Sequence, residues 1–288
     1  MQTNTPLVSV LMTAFNRENY LSQAVDSVLA STYQNWELII LDDCSTDATF
    51  NLAQQLALKD NRIKAFKNDN NLGQFKNRNK IVEYAEGKYL KYLDSDDLIY
   101  PYGLEQLVFY MEQFPEAGYG LCSIEQDDEK LFPILLSPED TYKRHFIEGK
   151  PVFHKAPLSS IIKTSVFREV RGFPHEAVSG DFAMWCYLSL QCSVVLMPEG
   201  IVWYRVHADQ EMQKTRDSVL VEFEYFKVEE YFLNLVECPL QLEAKTQVLK
   251  NNQIKQKKYI FWKFRQLGVD SGIQLMKFKK KVFQLNRV

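Results

Sequence analysis

The chain is poor in the residues that staple small folds together. Its five cysteines, Cys44, Cys122, Cys186, Cys192 and Cys238, are scattered over 288 residues, odd in number and never in a CxxC spacing. That excludes a zinc ribbon or disulfide scaffold and suits a reducing compartment. Long apolar runs are missing as well, since no stretch reaches the ~18 to 20 residues that cross a bilayer. The opening MQTNTPLVSVLMT lacks the basic-then-apolar order of a secretory leader. A cytoplasmic location is therefore expected, with peripheral contact at the inner face of the cell membrane left open. No internal repeat is visible. Net charge is also small, -3 overall, but it is unevenly spread: from Lys245 to Val288 twelve Lys and Arg meet one acid, Asp270. The tail thus carries a net charge near +11 and the remainder one near -14, an asymmetry that suggests an appendage meeting an anionic surface.

What the chain does have is 46 % apolar residues, enough for a large core, set out in alternating strand and helix patterns. Val8 to Met12 is a β-branched apolar run, followed by the polar turn Thr13 to Asn16 and a helical spacing of Tyr20, Leu21, Ala24, Val25, Val28 and Leu29. Trp36 to Leu41 is a second buried strand ending in Asp42 and Asp43, after which Ser45 or Thr46 is expected to cap a helix through Leu52 and Leu56. A weaker strand at 63–66, a helix at 75–85, a strand at 88–93 and a helix starting at Pro101 follow. From Cys122 to about Lys150 the pattern is irregular and acidic, and is expected to be a surface excursion. Short strands are expected at 193–197 and 201–205, and mostly helix from about Glu211. Such alternation predicts a mostly parallel sheet with helices on both faces, in which ligands bind beyond the carboxyl ends of the strands.

The polar residues at those ends are the candidates for chemistry, and each also has a plain structural reading. Asp94-Ser95-Asp96-Asp97 offers hard oxygens two residues apart, suited to Mg²⁺ or Mn²⁺ shared with diphosphate oxygens; it could equally be a solvated loop before a helix. Asp42 and Asp43 can accept hydrogen bonds from a nucleobase imide or a ribose hydroxyl, or simply form a turn. Phe15 can stack on a base or join the core. Asp181 opens the apolar stretch FAMWCYLSLQ, where it is either a general base or an ordinary helix cap. Arg205 and His207, in WYRVH, can stabilise a departing diphosphate or be structural.

Taken in order, VSVLMTAFNRENYLSQAVDSVLASTYQNWELIILDDCSTDAT, NNLGQFKNRNKIVEYAEGKYLKYLDSDDLIYPYGLE, SGDFAMWCYLSL and YRVH resemble the successive motifs of family 2 glycosyltransferases, across about residues 6 to 207. The resemblance implies a GT-A fold: a Rossmann-like, mixed and mostly parallel sheet with helices on both faces, spanning 1–210. Its nucleotide-sugar half would be about 1–122 and its acceptor half about 123–210, with a basic helical extension over 211–288. It implies inverting transfer from a nucleotide diphosphate sugar, UDP foremost with dTDP and GDP open, to a glycan or lipid-linked hydroxyl in cell-surface polysaccharide synthesis. At matching positions it implies that Thr13, Ala14, Phe15, Asn16, Asp42, Asn71, Gly73, Asn79 and Ser95 hold the nucleotide. Asp94, Asp96 and His207 would hold Mn²⁺ or Mg²⁺, with Asp96 foremost, and Arg205 would meet the diphosphate. Asp181 would be the base, and it stands alone because Gly180 occupies a position where many relatives carry a second acid.

Two rival classes stay open. A sugar-nucleotide nucleotidyltransferase would share the sheet but open on a glycine-rich phosphate loop, whereas this chain reads TAFNRENY. A non-catalytic nucleotide-sugar or glycan binder would not need Asp96 and Asp181. In the tail, Tyr259, Ile260, Phe261, Trp262 and Phe264 alternate with Lys257, Lys258, Lys263 and Arg265. That pattern suits either a helix on an anionic membrane or one packing its aromatics on the protein. Nucleic acid is not an expected partner, because no recognition module accompanies the charge.

Overall fold

A computed structural model describes residues 5–174, 179–207 and 218–280. His175, the expected helix start near Glu211 and the last eight residues of the tail lie outside the described residues. The chain divides into two compact units, the first formed by Met1–Ser137, Lys155–Phe173 and Cys192–Arg205, the second by Pro138–His154, Pro174–Gln191 and Val206–Val288.

Unit 1 is built on an eight-stranded sheet: β1 (Val8–Ala14), β2 (Trp36–Asp42), β3 (Ile63–Lys67), β4 (Tyr89–Tyr92), β6 (Ala117–Leu121), β7 (Ile134–Leu136), β8 (Ser160–Lys163) and β9 (Ser193–Leu196). They lie in the order β3-β2-β1-β4-β8-β6-β9-β7. β3, β2, β1 and β4 are mutually parallel, as are β6 and β9, while β8 and β7 pair antiparallel to their neighbours. The WELIILD strand β2 is buried at all seven positions, as a strand covered on both faces must be. One face, Val8, Val10, Met12, Leu38 and Ile40, packs with Leu21, Ala24, Val25 and Val28 of α1 (Leu21–Leu29) and with Leu104, Leu107 and Met111 of α4 (Gly103–Gln113). The other face meets α3 (Gln74–Lys80) and the short 3₁₀ turn Ile81–Tyr84 that follows it. A short helix, α6 (Thr164–Val170), follows β8, and the mixed, mostly parallel α/β fold with helical cover is as expected.

Register fixes where the loops emerge. Ala14 lies opposite Asp42, Asp42 opposite Lys67, and Leu11 opposite Tyr92, so the segments after four parallel strands leave the same edge side by side. A two-stranded antiparallel ribbon, β5 (Leu98–Ile99) with β10 (Val202–Trp203), then carries residues 203–205 back to the loop after β4.

Three expectations are corrected. Residues 122–150 are not an irregular excursion, because they supply β7 at the edge of the sheet and α5 (Pro138–Phe146). Neither Ser45 nor Thr46 caps α2 (Thr49–Ala57), whose N-cap is Ala48; Asp47, just before it, accepts at Oδ1 from the Thr49 amide at 3.0 Å and hydroxyl at 2.5 Å. The helix expected from Pro101 begins at Gly103.

Unit 2 is helical: α5, α7 (Gly180–Gln191), α8 (Val219–Asn234), α9 (Leu242–Leu267) and α10 (Val269–Lys280). Residues 138–154 and 174–191 therefore group with the helices of the extension, a division that does not coincide with the expected boundary near 210. α7 buries Phe182, Ala183, Met184, Trp185, Cys186 and Leu188, too many sides for a surface helix. His145 of α5 is half-buried, and its Nδ1 accepts from the Val152 and Phe153 amides at 3.1 and 3.3 Å. Burial, helped by the nearby His154, pushes its pKa down to about 3. No described helix is long and apolar enough to cross a membrane.

Candidate functional site

The loops after β1 and β2 are tied together. Asn16 sits in the left-handed region at φ 53°, a conformation asparagine tolerates because its side chain bonds locally. Its amide N–H donates to Ser45 Oγ at 2.9 Å, and its own Oδ1 accepts from the Thr46 N–H at 2.9 Å. The Arg17 N–H donates to Thr49 Oγ1 at 2.7 Å. Phe15 is thereby held out on the loop, 43 % exposed, which rules out the core reading and leaves a free aromatic surface beside the strand ends. Thr13 and Ala14 form the last residues of β1, and Ala14 is buried.

Asp42 is the least ordinary group in this region. It is fully buried; its Oδ1 accepts from the Ser45 N–H at 2.9 Å and lies 3.9 Å from the Lys67 ammonium, but its Oδ2 has no hydrogen-bond partner. A buried carboxylate oxygen without a donor is costly, and a ligand N–H would relieve it.

Asp43 plays a different part. Its Oδ1 accepts from Asn68 Nδ2 at 2.8 Å and the Leu72 N–H at 2.9 Å, and its Oδ2 from the Gly73 N–H at 2.9 Å. Asn71 completes the turn by donating to the Asp43 carbonyl at 3.2 Å and accepting from Gly73 at 3.1 Å. Asn71 through its side-chain amide and Gly73 through its backbone N–H thus shape the loop. Gly73 holds φ 82°, ψ 161°, a region essentially reserved for glycine. A Cβ there would meet nothing within 4 Å, so the cost of Gly73→Ala is conformational alone. It should lower stability by about 1–3 kcal/mol, read from the urea midpoint. Asn79 is placed elsewhere than expected: its amide donates to the Phe173 carbonyl at 2.9 Å and accepts from the Phe173 N–H at 2.7 Å. Both ends of that amide brace the turn at 171–173, which is a structural occupation.

After β4 the acids gather around arginines. Both Asp94 carboxylate oxygens accept from Arg78 Nη2, at 3.0 and 3.1 Å, and Asp96 accepts from Arg17 Nε at 2.9 Å. Ser95 and Asp97 are buried. Asp97 accepts from the Arg205 N–H at 2.8 Å; burial first, and then the charge of Asp94, raise its pKa to about 8. Arg205 is drawn into the same cluster, donating from Nε to the Asp96 carbonyl at 2.7 Å and from Nη2 to Gln23 Oε1 at 2.7 Å. Its guanidinium also lies over Tyr20 and Trp203, 5.3 and 5.1 Å from their ring centres.

Arg17 and Arg78 escaped the sequence reading. The signal for them was the cluster of acids itself, since partly buried carboxylates need compensation, but nothing local says which arginines supply it. Among the described residues no group of three or more His, Cys, Asp or Glu is arranged to hold a metal ion. The donor set therefore fits Mg²⁺ or Mn²⁺ only in the mode where one or two carboxylates share the ion with substrate phosphates. Asp94 and Asp96 supply the right oxygens for that mode.

In unit 2, Asp181 lies in the first turn of α7. The turn before it is clamped from α8: buried Glu224 accepts from both the Ser179 N–H and its hydroxyl, each at 2.9 Å. Tyr225 is close enough to Asp181 that the carboxylate, after burial, raises the phenol's pKa. The buried body of α7 then holds the carboxylate on a rigid element. His207 is half-buried, two residues beyond Arg205.

Residues 9–171 match the family model described as Glycosyl transferase family 2. The chain belongs to this family. The glycosyltransferase is 33 % identical over 256 residues to a Bacillus subtilis protein provisionally named the teichuronic acid biosynthesis glycosyltransferase TuaG, spanning 85 % of this chain and 97 % of the relative. Over 160 residues it is 38 % identical to an Escherichia coli protein, named in the same provisional way as the colanic acid biosynthesis glycosyl transferase WcaA; that stretch spans 52 % of this chain and 57 % of the relative. Two solved structures share the fold. TarS 1–349 of S. aureus in complex with UDP-GlcNAc superposes with a TM-score of 0.64 at 18 % identity, covering 85 % of this glycosyltransferase and 71 % of that chain. The mannosyltransferase PcManGT from Pyrobaculum calidifontis, in complex with GDP-Man and Mn²⁺, gives 0.63 at 16 %, covering 97 % and 89 %. The GT-A fold of the glycosyltransferase follows.

Proposed function

We propose that this glycosyltransferase transfers a sugar, with inversion, from a UDP-sugar to a hydroxyl of a glycan or lipid-linked acceptor in the synthesis of a cell-surface polysaccharide. The observation that carries the donor assignment is Asp42, a buried carboxylate whose Oδ2 has no donor. The imide N–H of uracil is such a donor, and exposed Phe15 offers a face for the base. The TuaG and WcaA likenesses support polysaccharide synthesis, and the complex of TarS with UDP-GlcNAc supports UDP.

In this reading Asp181 takes the proton of the acceptor hydroxyl as its oxygen attacks the anomeric carbon. The bond from that carbon to the diphosphate breaks, and a single base with no covalent intermediate inverts the centre, by the same logic that separates inverting from retaining glycosidases. Arg205, fixed by Asp96, Asp97 and Gln23, brings positive charge to the departing diphosphate. Asp94 and Asp96, with His207, would hold Mn²⁺ or Mg²⁺, which when bound neutralises charge on that leaving group. Ser95 closes the loop between them. A lipid-linked acceptor would bring the chain to the inner face of the membrane, where its basic extension would meet anionic lipid.

The donor assignment is tested by titrating UDP, dTDP, GDP and CDP into the protein and into Asp42→Asn. UDP should bind best. The substitution should weaken it by roughly 10- to 100-fold, as expected for a lost hydrogen bond to a charged group. Equal binding of all four nucleotides, or an unaffected Asp42→Asn, would refute the uracil contact.

A further inference from the structure

The C-terminal helices separate their aromatics into two sets. Tyr259 of α9 turns inward: its ring lies 5.9 Å from Phe223 and 5.8 Å from Phe226 of α8, and its hydroxyl donates to the Val219 carbonyl at 3.1 Å. With Val248, Asn252 and Gln256 it forms the buried face of α9. On the opposite face stand Lys250, Ile254, Lys257, Lys258, Phe261 and Arg265, at helical steps of four, three, one, three and four, all exposed. Phe261 is 64 % exposed, and Trp262 on the flank is 55 % exposed. None of the four cations of this stripe takes part in an ion pair with a described residue. The stripe also holds no acid, and the only acidic residue in α9 is Glu243, in its first turn.

We infer that this face of α9 is a reversible docking surface for anionic phospholipid, the helix lying in the plane of the interface. The cations would contact headgroup phosphates, while Phe261, Trp262 and Ile254 reach the acyl boundary. Charge complementarity selects the occupant: unpaired cations at every second turn match a fixed anionic surface, and apolar side chains between them match the layer beneath it. A second copy presenting the same stripe would set cation against cation, and a nucleic acid backbone would leave Ile254 and Phe261 unused. The inference rests on the extension alone and does not depend on the reading of the donor site.

The test is sedimentation of the full chain with vesicles of phosphatidylglycerol and phosphatidylcholine in equal parts, against phosphatidylcholine alone. Binding should require the anionic lipid and fall as added salt shortens the screening length. Each cation near such a surface is worth roughly a fivefold gain in partition, so the joint change K250Q/K257Q/K258Q/R265Q should lower binding at least about tenfold. F261S/W262S should lower it with every cation in place. Both variants alter exposed positions, so helicity and UDP titration should match the wild type and separate this outcome from misfolding or from failure of the donor assignment. Equal binding to both vesicle types, or wild-type binding by the cation variant, would overturn the inference. So would a self-association, or binding to a short RNA, that F261S/W262S abolishes while no vesicle binding is seen.

Discussion

Asp181→Asn should reduce sugar transfer by roughly 10²- to 10⁴-fold, the usual worth of a positioned general base, and leave nucleotide affinity at its wild-type value. Asparagine keeps the size of the side chain and its place in the first turn of α7, so the change removes a proton acceptor and little else. The clamp behind it makes a second, graded expectation. Glu224 holds Ser179 through two 2.9 Å bonds, and Glu224→Gln should lower kcat less than Asp181→Asn does, with unchanged donor affinity. Thermal unfolding of each variant, run beside the kinetics, separates a chemical loss from a folding defect. Wild-type turnover by Asp181→Asn would remove the residue from the mechanism.

Asp96→Asn should cost roughly 10²- to 10³-fold in turnover, on the scale of losing one electrostatic stabiliser of the leaving group. Its distinguishing readout is binding: Mn²⁺ should strengthen UDP binding to the wild type and have little effect on the variant. The same substitution leaves Arg17 without its 2.9 Å carboxylate partner. That pair is only partly buried, so the stability change should be small, on the order of 1 kcal/mol. An Asp96→Asn protein that still responds to Mn²⁺ would move the metal-binding role to other residues.

Much of this could be read from the sequence where burial and position coincide. VSVLM and WELIIL are mostly apolar because their strands are covered on both faces, their two polar members, Ser9 and Glu37, bonding to each other at 2.6 Å, and each ends where the chain must leave the sheet. The acids at those ends, Asp42 and Asp94 to Asp97, therefore announce the strand-end cluster without any coordinates. Elsewhere the local signal was too weak. β6 reads AGYGL, with two glycines that depress strand propensity. β7 is only three residues long and follows a Phe-Pro step.

Side-chain pairing was less legible still. Arg17 meets Asp96 across 79 positions and Arg78 meets Asp94 across 16, choices that topology makes and no short window contains. Asn79 illustrates the converse. It sits in a motif that suggested nucleotide contact, while its amide is spent on the backbone of Phe173. In the tail, alternation of aromatic and basic residues left two readings open; Tyr259 packs inward as one of them requires, while Phe261 and Trp262 remain exposed.

Inverting transfer from a UDP-sugar can be tested directly, because water can stand in for the acceptor. Proton NMR of slow UDP-sugar hydrolysis, recorded before mutarotation, reads the configuration of the sugar first released. The sugar first released by the wild type should be the anomer opposite to that of the donor, and its formation should be lost in Asp181→Asn. A first product with the donor's own configuration would contradict inversion.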